Sequence, residues 1–291
     1  MVLVAAVAWG AYSSLELARL RLETRIFQGT WTPELERLWQ PFLASPKPLV
    51  VSIADPPFVQ FEGHGSYRDM VLNRWDDIVK SPDVKAIQKA LNGAPMSQSA
   101  YYTPMGETSA SFLIGRLLGP RVSALSLLRA SELSLQQMAD NNVLYIGASV
   151  FFADRLSGMP ANLDLTSIHG GIKNDHPVSG EEAFYADQPQ PGSVAENGEF
   201  YALVTHLPGP GVSSEVTAFT ANRTPARLAA VQWFTEPEYA RTLVLKMRKP
   251  SGEIPRYYQV VLKVKFKDGV PTGSSYMLHH EVVAMKPVES R

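Results

Sequence analysis

Two short runs constrain this chain more than anything else in it. Leu49-Val-Val-Ser-Ile-Ala54 and Asn142-Val-Leu-Tyr-Ile-Gly147 are apolar almost throughout, and each stops at a turn signal. A strand with one wet face alternates apolar and polar residues, whereas a strand buried on both faces does not. Such runs predict central strands of a parallel or mixed sheet with helices on both sides. The stretch between them fits that scheme. Thr103-Pro104 opens a helical rhythm carrying Phe112, Leu113, Leu117 and Leu118, and Gly119-Pro120 ends it. Val122 to Leu128 is strand-like, and Ser134 is placed to cap a short helix through Asp140. The strand–helix–strand alternation predicts an α/β fold with a mixed, mostly parallel sheet covered by helices, Rossmann-like or periplasmic-binding-protein-like in layout.

The C-terminal part changes period. Glu199 to His206 and Glu215 to Ala221 are strand-like, and Thr224-Pro225 begins another helix with Leu228, Val231 and Trp233-Phe234. From Tyr257 to Lys267, Val260, Leu262, Val264 and Phe266 alternate with lysines, so one face is wet. Asp268-Gly269 then predicts a tight turn into a partner strand ending near Ala284, an antiparallel C-terminal hairpin.

The N-terminus follows another rule. Val2 to Tyr12 are apolar or glycine without a break. A spanning helix needs about 20 apolar residues, so this run is either a buried helix or the outer half of a membrane anchor that continues upstream. Leu17, Leu20, Arg21 and Arg25 suit a helix emerging into water, which makes the anchor the leading expectation. A helix follows from Thr32 as cap and Pro33 in its first turn, with Leu35, Leu38, Trp39 and Phe42 on one face. Pro46 and Pro48 break the chain after it. The organisation expected is therefore an anchor over 1–27, a helical linker over 28–46 and an α/β ligand-binding domain over 47–291.

Composition removes several functions. There are 27 basic and 28 acidic side chains, which argues against direct nucleic-acid binding through a basic surface. The absence of cysteine excludes disulfides, thiol nucleophiles and thiolate metal sites. The six histidines show no close metal-ligand spacing, and His279 and His280, adjacent on a strand, point to opposite faces. No nucleotide-loop or nucleophile-elbow motif occurs. No metal and no cofactor are expected.

What remains is a set of polar junctions where strands or loops meet helices. They are Tyr102-Thr103 with Gly106-Glu107, Gly147 with Ser149, and Asn222-Arg223-Thr224, with Asp55 after the first buried strand. In an open α/β sheet, ligands sit beyond the carboxyl ends of strands, where helix N-termini offer N–H groups. These ten residues form the candidate ligand site. Arg223 adds a forked donor, which brings anionic small molecules among the candidates. Thr103 and Thr224 also read simply as helix caps. Ser149 lacks an evident base, so a hydrolase or transferase using it or a carboxylate is the alternative. A structural interaction domain, pairing through an exposed Tyr257–Lys267 strand, is another.

The segments Pro48–Ala54, Tyr102-Thr-Pro-Met-Gly-Glu107, Asn142–Gly147 and Asn222-Arg-Thr-Pro-Ala226 resemble uncharacterised bacterial membrane-anchored domains, over residues 40 to 285. In that group the domain often follows a winged-helix DNA-binding module and one span, and its architecture is similar to periplasmic-binding-protein-like sensors. The resemblance implies a sensor at the cell membrane, its folded domain extracytoplasmic, bound to a small molecule. It also implies a DNA-binding module, which this sequence lacks, upstream. It assigns no catalytic residue.

Overall fold

The computed structural model describes residues 31–69, 72–99, 102–190 and 197–283. The expected anchor lies outside them. Among the described residues no helix is long and apolar enough to cross a membrane.

Both apolar runs form buried strands. β1 (Leu49–Ile53) and β6 (Asn142–Gly147) are parallel neighbours, buried along their whole lengths. Between them lie a small sheet of β2 (Phe58–Phe61), β3 (Ser66–Tyr67) and β4 (Met96–Ser99), helices α2 (Trp75–Ile78) and α3 (Pro82–Ala90), then α4 (Met105–Leu118), β5 (Leu125–Arg129) and α5 (Leu135–Asp140). The small sheet has its own core of Val59, Phe61, Ile78 and Val84. α2 is a single turn, and Pro82 in the first turn of α3 starts a new helix directly behind it.

After β6 come α6 (Ala153–Leu156) and a second small sheet of β7 (Leu165–Ile168), β8 (Gly171–Asn174) and β9 (Phe184–Ala186). β10 (Gln188–Pro189), β11 (Gly198–Pro208) and β12 (Glu215–Ala221) lead to α7 (Thr224–Thr235) and α8 (Pro237–Met247). The hairpin of β13 (Tyr258–Lys267) and β14 (Val270–Glu281) closes the chain. Its turn residues Asp268 and Gly269 both have positive φ, 53° and 75°, as the tight turn that follows strand twist requires.

The main sheet runs β14-β13-β11-β12-β6-β1-β5, with β10 added beside β11. Strands β5, β1, β6 and β12 are parallel; β11, β13 and β14 alternate with antiparallel pairing. Among the four parallel strands the order is second, first, third, fourth. The direction of winding reverses between β1 and β6, which is the topological switch point. One face carries α4, α7 and α8 over Val51, Ile146, Phe219 and Leu262. The other carries α5 and α6 over Val143, Tyr145 and Ala218, and the β7–β9 sheet over Tyr201, Leu203 and Val261.

Two expectations change. The helix read as part of a linker, α1 (Pro33–Leu43), is built into the main core, with Leu35, Leu38, Trp39 and Phe42 buried. Its apolar face meets α7 and α8, and Trp39 Nε1 donates to the Phe234 carbonyl at 2.7 Å. The Tyr257–Lys267 strand is no exposed edge either, since β13 is paired on both sides, to β11 and β14. Its outward lysines serve that pairing: Lys263 and Lys265 both reach Glu199 on β11.

Candidate functional site

Since β1, β6 and β12 are parallel neighbours, their carboxyl ends fall on one edge of the sheet. Ala54, Gly147 and Asn222 follow in adjacent rows there. The spacing is tight. A Cβ at Gly147 would sit 2.5 Å from the Ala54 Cβ and would collide with the Tyr145 hydroxyl, which curls back to donate to the Ala148 carbonyl at 2.7 Å. Gly147 is thus required by packing.

Most of the other candidates are held by neighbouring protein groups. Asp55 accepts from the Ser131 N–H at 3.0 Å and from its hydroxyl, tying the end of β1 to the turn after β5. Thr103 does not cap α4, whose cap position is Pro104; its hydroxyl donates to the Ala54 carbonyl at 3.2 Å. Tyr102 packs against the first small sheet, its ring 4.8 Å from Phe58 and its hydroxyl 3.2 Å from Ser66 Oγ. Gly106 lets the first turns of α4 and α7 touch: a Cβ there would lie 2.8 Å from the Thr224 carbonyl oxygen. Thr224 is the first helical residue, not the cap, and accepts from Arg227 Nη2 at 2.8 Å. The caps differ from expectation because Pro104 and Arg223, both extended, already occupy the position before the first turn.

Under this contact lies a buried ion pair. Arg227 Nη2 is 2.6 Å from Glu107 Oε1, and both side chains are almost fully enclosed. Burial pushes the Glu107 carboxyl above its ordinary range, and the charge of Arg227 offsets this only in part. Arg227 also donates to the Ala221 carbonyl at 2.5 Å, so the pair fixes the end of β12. Nothing in the sequence singled out Arg227, which reads as one more polar residue on a helix.

Asn222 bridges two layers. Its Nδ2 donates to the Ile168 carbonyl and to Asp187 Oδ2, both at 2.8 Å. Asp187 also accepts from the Tyr201 N–H at 3.0 Å, and its carboxyl is raised by burial. Arg223 acts electrostatically on Asp187 and lies over the Phe200 ring at 5.6 Å. The guanidinium expected to greet an anion therefore lies over an aromatic ring, within electrostatic reach of a carboxylate.

A cleft of about 340 Å³ opens on the opposite face, over β11 and the carboxyl half of β12 and next to the segment that follows β6. It is the seam between α6 and the β7–β9 sheet. Ser149 lines it, alone among the ten candidates, together with Ala153, Leu156, Leu165, Ser167, Leu203, Thr205 and Thr220. Among the described residues, no charged side chain lines it. Thr205 and Thr220 sit inside apolar strands, where a single threonine carries little local signal. A hydroxyl recurring on one face of otherwise apolar runs, in Leu203-Val-Thr205 and Phe219-Thr220-Ala221, was the available signal.

Ser149 Oγ donates to the Ser167 carbonyl at 2.6 Å, joining the two walls. The β7–β9 wall is also held from behind. Gln259 on β13 bonds both backbone groups of Leu165, and His280 on β14 sits between Asp164 at 3.2 Å and Glu181 at 2.9 Å. His279 points away from this group and meets Tyr276. Among the described residues, no group of three or more His, Asp or Glu is arranged to hold a metal ion.

At the other edge of β12 is a second buried polar cluster. His206 Nδ1 lies 2.8 Å from Thr217 Oγ1, and its Nε2 lies 3.6 Å from Glu215 Oε2. Arg256 reaches Glu215 Oε1 at 2.7 Å. Enclosed by the rings of Phe42, Tyr257 and Tyr258, His206 is held neutral, its pKa pushed down to about 3 by burial and then by Arg256.

No protein-family profile, curated protein or solved structure matches the chain.

Proposed function

We propose that this chain is a non-catalytic, small-ligand-binding domain, with the cleft between α6 and the β7–β9 sheet as its ligand seat. One observation carries the reading: the cleft lies next to the carboxyl ends of β6 and β12, between two units that have separate hydrophobic clusters. Ligand pockets of α/β sheets favour that region, and their volumes begin at about 300 Å³. The Ser149 hydroxyl supports a binding role over a nucleophilic one, because its hydrogen bond goes to a backbone carbonyl. A ligand touching both walls would bind the closed arrangement more tightly, which is the physical requirement for sensing.

Direct analysis of bound metabolites tests this. The protein is dialysed against a protein-free cell extract, and the retained compounds are read by mass spectrometry. Retention by the native chain and not by Ala153→Trp, which fills the cleft from an exposed helical position, is the expected result. Identical profiles would overturn the reading.

The location proposed is the cell membrane, with the folded domain extracytoplasmic. The unbroken apolar run Val2–Tyr12 motivates it, as does the resemblance to membrane-anchored sensor domains. Fractionation of the native full-length protein decides it: recovery wholly in the cytosol would sink the proposal.

A further inference from the structure

Resting on the cleft as ligand seat, we infer that its ligand is an uncharged molecule that presents hydrogen-bond donors, hydroxyl or amide N–H, to the floor and an aliphatic portion to the walls. The argument starts from what the floor can and cannot offer. Ser149, Thr205 and Thr220 present hydroxyls there, and the protons of two are already committed to main-chain carbonyls. Ser149 Oγ donates to Ser167, and Thr220 Oγ1 donates to Leu203 at 3.0 Å. A hydroxyl with its proton engaged retains only lone pairs. Thr205 is placed differently: Gln259 Nε2 donates to it at 3.2 Å, which leaves its own proton for a ligand acceptor. The floor thus offers two acceptors, Ser149 and Thr220, and one donor, Thr205.

The rest of the lining supplies Leu156, Leu163, Leu165 and Leu203, with neutral polar side chains at Ser157, Asn162, Thr166 and Ser167. With no charged side chain in the lining among the described residues, an anion or ammonium would lose hydration with no counter-charge to replace it. A molecule with hydroxyl or amide donors and a short aliphatic surface matches each of these features. This reassigns the ligand class suggested by Arg223, which lies outside the lining.

A fragment library split into equal thirds, neutral donor-bearing, anionic and cationic, is screened by ligand-observed NMR against the native protein, Ala153→Trp and Thr220→Val. Ala161→Trp serves as second blocker should the first misfold. The expected outcome is that hits lost on blocking come from the neutral donor-bearing third. Those hits should also bind Thr220→Val about 3- to 10-fold more weakly, the loss of one neutral hydrogen bond. Blockable hits concentrated in a charged third, or unchanged affinity in Thr220→Val, would overturn the ligand class and leave the cleft standing. Hits that survive both blockers would overturn the cleft itself.

Discussion

Gln259 replaces a neighbouring strand for Leu165: its Oε1 accepts from the Leu165 N–H at 2.9 Å, and its Nε2 donates to the Leu165 carbonyl at 2.7 Å. The glutamine is completely buried, in β13. It belongs to the main sheet, while Leu165 begins the small sheet that walls the cleft. Replacing it by Leu keeps the apolar volume and leaves two buried backbone groups unpaired. At about 1–3 kcal/mol for each unsatisfied group, Gln259→Leu should lower unfolding free energy by about 2–6 kcal/mol. Urea denaturation measures this, and amide exchange at Leu165 should accelerate with it. A native midpoint together with a protected Leu165 amide would refute the staple.

His206 gives the fold a signed pH dependence. Its folded pKa, about 3, lies below the ordinary value of about 6.5. Below about pH 6.5 the unfolded chain takes up a proton that the native chain refuses. Stability is therefore complete above that pH and falls as the medium becomes more acid, by up to about 1.4 kcal/mol per pH unit until about pH 3. His206→Gln removes the titrating group. The difference between the two proteins from pH 6.5 to 5, where ordinary carboxylates are still largely ionised, should show that slope.

The Glu107–Arg227 pair should behave as a unit. Arg227→Met leaves a buried carboxylate alone and is expected to cost about 3–5 kcal/mol. Glu107→Leu strands the guanidinium in the same way. Their combination should cost much less than the two single losses together, since no lone charge remains. Additive losses in the double-mutant cycle would show that the two groups are energetically independent.

Gly106 marks where two helices touch. In Gly106→Ala the added methyl collides with the Thr224 methyl and lies 2.8 Å from the Thr224 carbonyl oxygen. Forced overpacking of this kind costs about 1–3 kcal/mol. Adding Thr224→Ser to Gly106→Ala removes the methyl clash but not the carbonyl, so partial recovery of the thermal midpoint is expected. Full recovery would place the strain in the side chain alone.

The central architecture was legible because burial on both faces leaves an unambiguous mark. The unbroken runs at Leu49–Ala54 and Asn142–Gly147 have no other comfortable home, and the period-two lysines of β13 located its wet face. Asp55, Gly147 and Asn222 fall on one edge because parallel strands of one sheet end on the same side. Their roles were not legible. Whether Asp55 meets a ligand or Ser131 depends on the turn after β5, 76 positions away. Thr205 and Thr220 became a cleft floor only through pairing with strands and walls that local pattern does not specify. Helix α1 shows the same limit: its amphipathic face was readable, but an amphipathic face does not say whether its partner lies in the same domain.

A chain starting at residue 47 tests that last point. It removes α1 and uncovers the faces of α7 and α8 that Leu35, Leu38, Trp39 and Phe42 occupy. Loss of a cooperative thermal transition is expected. A cooperative melt within a few degrees of the native protein would show that the helix is dispensable.

The position of α1 also orders events during synthesis. Phe234, whose carbonyl receives the Trp39 indole, follows it by 195 positions. At the usual pace of translation, about 5–20 residues per second, some 10–40 s separate the two. Through that interval a four-residue apolar stripe has left the ribosome before its landing surface exists. The length of that window is set by the distance along the gene between these two residues.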